Sequence, residues 1–205
     1  MRRRANKQKS SPAQGSGQLR IIGGTLRGRK LAIADLPGLR PTTDRVRETL
    51  FNWLQFEIAE QRCLDVFAGT GALGLEALSR GASAVTLLEQ QHAAVAMLKR
   101  HLGVLNAQCH GHSEVIATDA LKWLAQPAAS AYDIVFIDPP FRSNLAAPCC
   151  QLLQQNGYVH GGSWIYLETE KEWPLDVPEQ WQLQREKVTG QLCSRLFRVA
   201  AEEDS

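Results

Sequence analysis

Leu64-Asp65-Val66-Phe67-Ala68-Gly69-Thr70-Gly71-Ala72-Leu73-Gly74 is the stretch whose reading decides the fold of this 205-residue chain. It opens as a strand: Cys63, Leu64, Val66 and Phe67 are apolar or β-prone, and the one acid, Asp65, falls near the end. The chain then meets Gly69 and Gly71, and a helical run follows through Ala72, Leu73, Leu75, Ala77 and Leu78. Glycines let a backbone pass close to a ligand, and a helix N-terminus offers unpaired N–H groups. Gly69, Gly71 and Gly74 also satisfy G-x-G-x-x-G, the spacing of nucleotide-binding turns. Any tight turn in an α/β core can meet the same pattern, so the glycines alone leave the ligand open.

Two further features narrow it. Glu89 ends the next apolar run, Ala84 to Leu88. It lies about 20 residues past the glycines, where a carboxylate can accept from ribose hydroxyls. Further on, Ile134-Val135-Phe136-Ile137-Asp138-Pro139-Pro140-Phe141 is a buried-type strand that ends in D-P-P-F. A nicotinamide dehydrogenase has no use for that second motif. It resembles motif IV of the S-adenosylmethionine-dependent amino-methyltransferases, as Asp65 to Gly71 resembles their motif I. Together they favour S-adenosylmethionine over NAD.

The totals are compatible with one domain carrying an arm. No apolar run approaches the length of a membrane span, and no apolar segment follows the basic N-terminus as in a signal peptide. Five cysteines, Cys63, Cys109, Cys149, Cys150 and Cys193, form no C-x-x-C pair; neither a disulfide framework nor a zinc site is expected, and a reducing cytoplasm is the expected compartment. The net charge of +2 hides a division. Residues 1–47 hold 12 Lys or Arg against two acids, and the remainder holds 11 against 19. A basic end on an acidic body suggests a polyanionic partner, although a solvated arm that aids solubility has the same composition.

Along the chain, 1–17 is rich in Arg, Lys, Gln, Ser and Gly, and a disordered basic arm is expected. Leu19 to Ile22 and Leu26 to Ile33 read as a basic hairpin over 18–38, with Arg20, Arg27, Arg29 and Lys30 as candidate RNA contacts. Arg40-Pro41-Thr42-Thr43-Asp44 signals a helix entry, capped by Thr42 or Thr43. Val46, Leu50, Trp53 and Leu54 then share one helical face, which leaves Arg45, like Arg40, for ligand or RNA. After the glycine turn, strands at Ala84 to Glu89, Glu114 to Thr118, Tyr132 to Asp138 and Trp164 to Glu168 alternate with helices at Ala93 to Leu105 and Ala146 to Leu153 and, after Asp119-Ala120, a short helix through Trp123 and Leu124. Trp181 to Val188 and Leu192 to Val199 form a closing antiparallel hairpin. The pattern predicts an α/β doubly wound, Rossmann-like sheet over 39–205: five βα units, parallel strands and one reversed edge strand. Its strand ends would gather Asp65, Glu89, Asp119 and Asp138 along one rim, where such sheets bind ligands.

Three segments carry a family resemblance: Arg40 to Leu54, Asp65 to Arg80 and Phe136 to Phe141. They resemble the RsmD family of bacterial 16S rRNA guanine-N2 methyltransferases, which act on guanine 966 in the usual rRNA numbering. The resemblance implies a class I methyltransferase fold, S-adenosylmethionine as donor and small-subunit ribosomal RNA, or an assembly intermediate, as partner. A monomer without metal or membrane association is expected. Asp65, Phe67, Gly69, Gly71, Glu89, Asp119 and Ala120 would hold the cofactor: Asp65 at its amino end, Glu89 at the ribose, Asp119 and the Ala120 N–H at the adenine. Asp138 and the Pro139 carbonyl would accept hydrogen bonds from the target amine, Pro140 would stiffen the loop, and Phe141 would stack on an extruded base.

Other features are read more plainly. Pro148-Cys149 imitates the thiolate motif of cytosine-C5 enzymes but sits past the loop on a helix, and Cys109, His110 and His112 are read as an ordinary loop. A DNA amino-methyltransferase acting on adenine N6 or cytosine N4, and a non-catalytic RNA-binding assembly factor, are the alternatives. If the basic arm serves RNA, deleting 1–16 should reduce the log–log salt slope of RNA affinity, because fewer phosphates are neutralised. An unchanged slope in filter-binding titrations would mark the arm as a solubility tail.

Overall fold

The structure, a computed structural model, describes residues 17–33 and 44–201; residues 1–16 of the arm, residues 34–38 of the expected hairpin, Arg40 and the proposed caps Thr42 and Thr43 lie outside them. Two short strands, β1 (Gln18–Arg20) and β2 (Lys30–Ala32), pair antiparallel. Helix α1 (Asp44–Trp53) leads into β3 (Arg62–Asp65), then α2 (Gly74–Ser79), β4 (Ala84–Glu89), α3 (His92–Leu105), β5 (His112–Ala117), α4 (Ala120–Leu124), β6 (Tyr132–Ile137), α5 (Ala146–Gln155) and β7 (Val159–Glu170). The last two strands are β8 (Trp181–Thr189) and β9 (Leu192–Val199). The large sheet has seven strands in the order β5-β4-β3-β6-β7-β9-β8. The five from β5 to β7 are parallel, and β9 runs antiparallel to both its neighbours.

Alternation along the strands builds two cores. Cys63, Ile134, Phe136 and Tyr166 face one cluster, packed with Leu50 and Phe51 of α1, Leu75 and Leu78 of α2, and Leu98 and Leu102 of α3. Leu64, Val135, Ile137 and Leu167 face the other, packed with Leu124 of α4 and Cys149, Cys150 and Leu153 of α5. Strands buried on both faces must read as apolar runs, so the central strands were visible from composition.

The doubly wound architecture holds, with differences in detail. Four strand–helix units, not five, precede β7. The reversed strand is β9, one place in from the edge, because the second arm of the closing hairpin pairs with β7. β9 is accordingly buried along most of its length, whereas β8 is exposed after Trp181. β7 starts at Val159, earlier than its apolar run suggests, across a register shift between Tyr132 and Ile134. Leu26 belongs to the turn between β1 and β2 and not to a strand.

The small hairpin is seated in the first core through Leu19, Ile21, Leu26, Leu31 and Ile33. Polar contacts tie it to α2: Ile22 N donates to Glu76 Oε2 at 2.8 Å, Thr25 N to the Ser79 carbonyl at 2.7 Å, and Leu26 N to Ser79 Oγ at 3.0 Å. Gly24, at φ +72°, lies so close that a Cβ would stand 1.8 Å from that same carbonyl oxygen. Beneath it, Arg47 is 1% exposed, a burial that helical periodicity did not anticipate for a charged residue. Its Nη2 donates to Asp44 Oδ1 at 2.6 Å and to the Arg20 carbonyl at 2.8 Å, and its Nη1 stands 3.7 Å from Glu76 Oε2. Glu76 is fully buried, and its Oε1 accepts from Arg80 Nε at 2.8 Å. One carboxylate thus serves two arginines and a backbone N–H. Removing it by Glu76→Ala leaves buried cation without its counter-charge, and should lower stability by about 3–5 kcal/mol in urea denaturation. A loss under about 1 kcal/mol would show that the network is not what holds the hairpin down.

Candidate active site

A cleft of about 1290 Å³ opens at the carboxyl ends of the parallel strands. Asp65 closes β3 and Glu89 closes β4, while Asp119 and Asp138 stand just beyond β5 and β6; all four line the cleft. Phe67, Gly69, Ala120, Pro139, Pro140 and Phe141 line it too. The parallel register makes this gathering unavoidable, since strands that run the same way end on the same side.

The turn at the floor is held by carboxylates. Asp65 is buried, and its Oδ2 accepts from Gly74 N at 2.9 Å, fixing the start of α2. Burial pushes the Asp65 carboxyl up to about 7; the Gly74 and Phe67 N–H groups oppose that shift and the Glu89 charge adds to it. Glu89 Oε2 accepts from Gly69 N at 2.8 Å, and Oε1 from Gln91 N at 2.7 Å. Gly69 has φ +51°, a left-handed geometry that favours glycine. Gly71 does not line the cleft among the described residues. It is buried with φ +79°, and a Cβ there would meet Leu98 Cδ2 at 2.6 Å and Leu75 Cδ1 at 2.9 Å, so it serves helix packing. Asp119 caps α4, its Oδ1 accepting from Lys122 N at 2.9 Å.

On the other flank, the Asp138-Pro139-Pro140-Phe141 loop leaves β6, and Phe141 is 49% exposed. Arg142 and Asn144 take left-handed φ values of 56° and 55°, unusual for residues with a side chain, and Arg142 N donates to the Glu170 carboxylate. The loop is thereby bent back toward β7. Two cleft residues were not singled out from sequence. Arg142 is a cation on the rim. Glu168 lies near the end of β7, 5% exposed, with the Tyr166 hydroxyl 2.5 Å from its Oε2. The available signal was that the fifth strand, like its neighbours, ends in an acid.

The basic candidates fall elsewhere. None of Arg20, Arg27, Arg29, Lys30 and Arg45 lines the cleft. The turn bearing Arg27 rests on Ser79 at the C-terminal end of α2, whose other end starts at the glycine turn. Arg29 Nη1 donates to Gln108 Oε1 beyond α3. Cys149 is wholly buried and its thiol is pushed up by burial, so it offers no thiolate. Among the described residues no group of His, Cys, Asp and Glu could hold a metal, and no helix is long and apolar enough to cross a membrane.

Residues 19–198 match the family described as "Conserved hypothetical protein 95". The chain belongs to this family. It is 51% identical over 192 residues to "Ribosomal RNA small subunit methyltransferase D" of Escherichia coli (strain K12), covering 93% of this chain and 95% of that protein. The protein of the same name from Haemophilus influenzae is 48% identical over 183 residues, covering 89% and 94%. The solved structure of yhhF from Escherichia coli superposes with a TM-score of 0.83 at 47% identity, covering 91% of this chain and all of that one. The RsmD resemblance read from the three motifs therefore extends along most of the chain.

Asp65 makes stability depend on pH. A carboxyl near 7 in the folded state and 3.8 otherwise keeps its proton longer when folded. Its contribution is complete below 3.8 and is lost as pH rises towards 7, a fall on the order of 4 kcal/mol. Asp65→Asn, which keeps an acceptor for Gly74 N, should flatten that fall in urea denaturation at pH 4 and pH 8. Parallel pH profiles for the two proteins would refute the assignment.

Proposed function

We propose that this protein transfers a methyl group from S-adenosylmethionine to the exocyclic N2 amine of guanine 966 in 16S ribosomal RNA; the names of its relatives support methylation of small-subunit rRNA, and the motif resemblance supports the base and position. The observation that carries the reading is the meeting of two motifs in one cleft. The glycine turn and Glu89 form one flank, and the Asp138-Pro139-Pro140-Phe141 loop forms the other.

The cleft suits the donor. It is large enough for a nucleoside joined to an amino acid, and Asp65, Glu89, Asp119 and Asp138 oppose the sulfonium and ammonium charges of S-adenosylmethionine. When bound, the donor supplies an electrophilic methyl group; the protein supplies positioning and proton handling. Glu89 would take the ribose hydroxyls, keeping its bonds to Gly69 N and Gln91 N, since an ionised carboxylate has about four acceptor positions. Asp119 and the Ala120 N–H would take the adenine, and Asp65 would orient the amino end.

On the substrate side, Asp138 and the Pro139 carbonyl would accept the two amine hydrogens, turning the nitrogen lone pair out of the ring plane toward the methyl group. The nitrogen gains the methyl and sheds a proton along the hydrogen bond it already makes. Phe141, exposed at the rim, would stack on a base that has left its helix. Arg20, Arg27, Arg29, Lys30 and Arg45 would contact RNA phosphates away from the cleft, with Arg40 and the arm adding to the same field.

Mass spectrometry of 16S rRNA from a strain lacking the protein, restored by the gene, tests the reading; an intact methyl group on guanine 966 would end it. In single-turnover assays on undermethylated small-subunit particles, Asp138→Ala should slow transfer by a factor on the order of 100 or more, with cofactor affinity nearly unchanged. Glu89→Ala should instead weaken cofactor binding by about 1–3 kcal/mol in titration calorimetry. A normal rate for Asp138→Ala would remove it from the reaction.

A further inference from the structure

We propose that Glu168 reads the N1–H of the target guanine beside the amine held by Asp138, and so determines base specificity. The inference rests on the guanine-N2 reading above and deepens it.

The placement comes from the β6–β7 ladder. Ile137 pairs with Leu167 in parallel register, so the next residues, Asp138 and Glu168, are neighbours at the ends of adjacent strands. Such strands lie about 4.8 Å apart. Phe136 and Tyr166, two residues earlier on each strand, face the same core, and the two acids follow them by the same period of two. Two consequences of that side are visible: Tyr166 Oη reaches Glu168 Oε2 at 2.5 Å, and the Asp138 charge is among the causes that raise the Tyr166 hydroxyl.

Glu168 is an unusual residue to find there. It is 5% exposed, and among the described residues it forms no ion pair with Lys, Arg or His. Burial raises its carboxyl pKa, and the hydrogen bond to Tyr166 works against that. Yet it lines the cleft, so the strand end holds a desolvated acceptor that forms no ion pair among the described residues. Such a group is costly unless a ligand completes its hydrogen bonds.

Guanine has the matching edge. Its N1–H and N2–H donors are adjacent and both point the same way, and an ionised carboxylate is an acceptor only. With Asp138 on the amine, a second carboxylate one strand away faces N1–H. A hydrogen bond accepted there pushes electron density toward the C2 amine, the nucleophile. Adenine offers a lone pair at N1 and would be repelled, so the pair of acids selects as well as activates.

The test compares ribosomal RNA carrying guanine at the methylated position with the same RNA carrying 2,6-diaminopurine, which keeps the C2 amine but has a lone pair at N1. The wild-type protein should prefer guanine. In Glu168→Gln, whose amide can donate to N1, the guanine-to-diaminopurine ratio of kcat/KM should fall by a factor of about ten or more, with unchanged S-adenosylmethionine affinity. Glu168→Asp, which keeps the charge but draws it back, should also lower the ratio, and serves if the glutamine variant does not fold. An unchanged ratio, even with a lower overall rate, would make Glu168 a structural residue and overturn the proposal. Absence of guanine methylation by the wild-type protein would instead refute the proposed function itself.

Discussion

Two carboxylates hold one turn, and the rest of the molecule is arranged around that fact. Asp65 Oδ2 takes Gly74 N and Glu89 Oε2 takes Gly69 N, so the segment between β3 and α2 is pinned at both ends by acids from the ends of adjacent strands. A buried N–H must find an acceptor, and here the acceptors are the groups that also face the cleft. The direction of α2 follows from the turn. The seat of the N-terminal hairpin follows from α2, through Glu76 and Ser79. The cleft floor and the hairpin therefore sit at the two ends of one short helix.

The same arrangement sets the electrostatics. Burial raises the Asp65 carboxyl, and the Glu89 charge adds to the effect. Asp119, Asp138 and Glu168 extend the acidic lining across the remaining strand ends. A cleft of this kind is poorly suited to a polyanion and well suited to a cationic small molecule. Arg20, Arg27, Arg29, Lys30 and Arg45 lie outside the cleft on the N-terminal elements, and Arg142 is the basic residue that lines the cleft among the described residues. The proposed phosphate contacts and the proposed cofactor site thus lie on separate surfaces.

The buried Arg47–Glu76 pair illustrates a different constraint. Arg47 Nε and Nη1 make no hydrogen bond, so the pair is imperfectly satisfied and contributes more to fixing position than to net stability. Its geometry joins three elements distant in sequence: the Arg20 carbonyl of β1, Asp44 at the start of α1, and Glu76 of α2. Packing on Phe51 by the Arg80 guanidinium, 4.9 Å from the ring centroid, adds a fourth contact to the same cluster.

What the sequence determined by itself was the alternation of strands and helices along the chain and the acids at the strand ends. β3, β4 and β6 are buried on both faces, so they must be apolar runs, and α3 shows its buried residues at helical spacing because one face meets the sheet. Those signals are local, and so they survive in one dimension. The tertiary structure decided what depends on partners far along the chain. Gly69 and Gly71 look alike in sequence, yet one lines the cleft and the other is enclosed by Leu75 and Leu98. Arg47 carries no burial signal in its own helix, and it is buried where Glu76 and the Arg20 carbonyl meet it. β9 lies inside β8 because pairing with β7 buries an apolar strand that an edge would have left open. Glu168 became part of the site only when the β6–β7 register set it beside Asp138. In each case the deciding contact joins segments whose distance in the chain carries no trace of their distance in space.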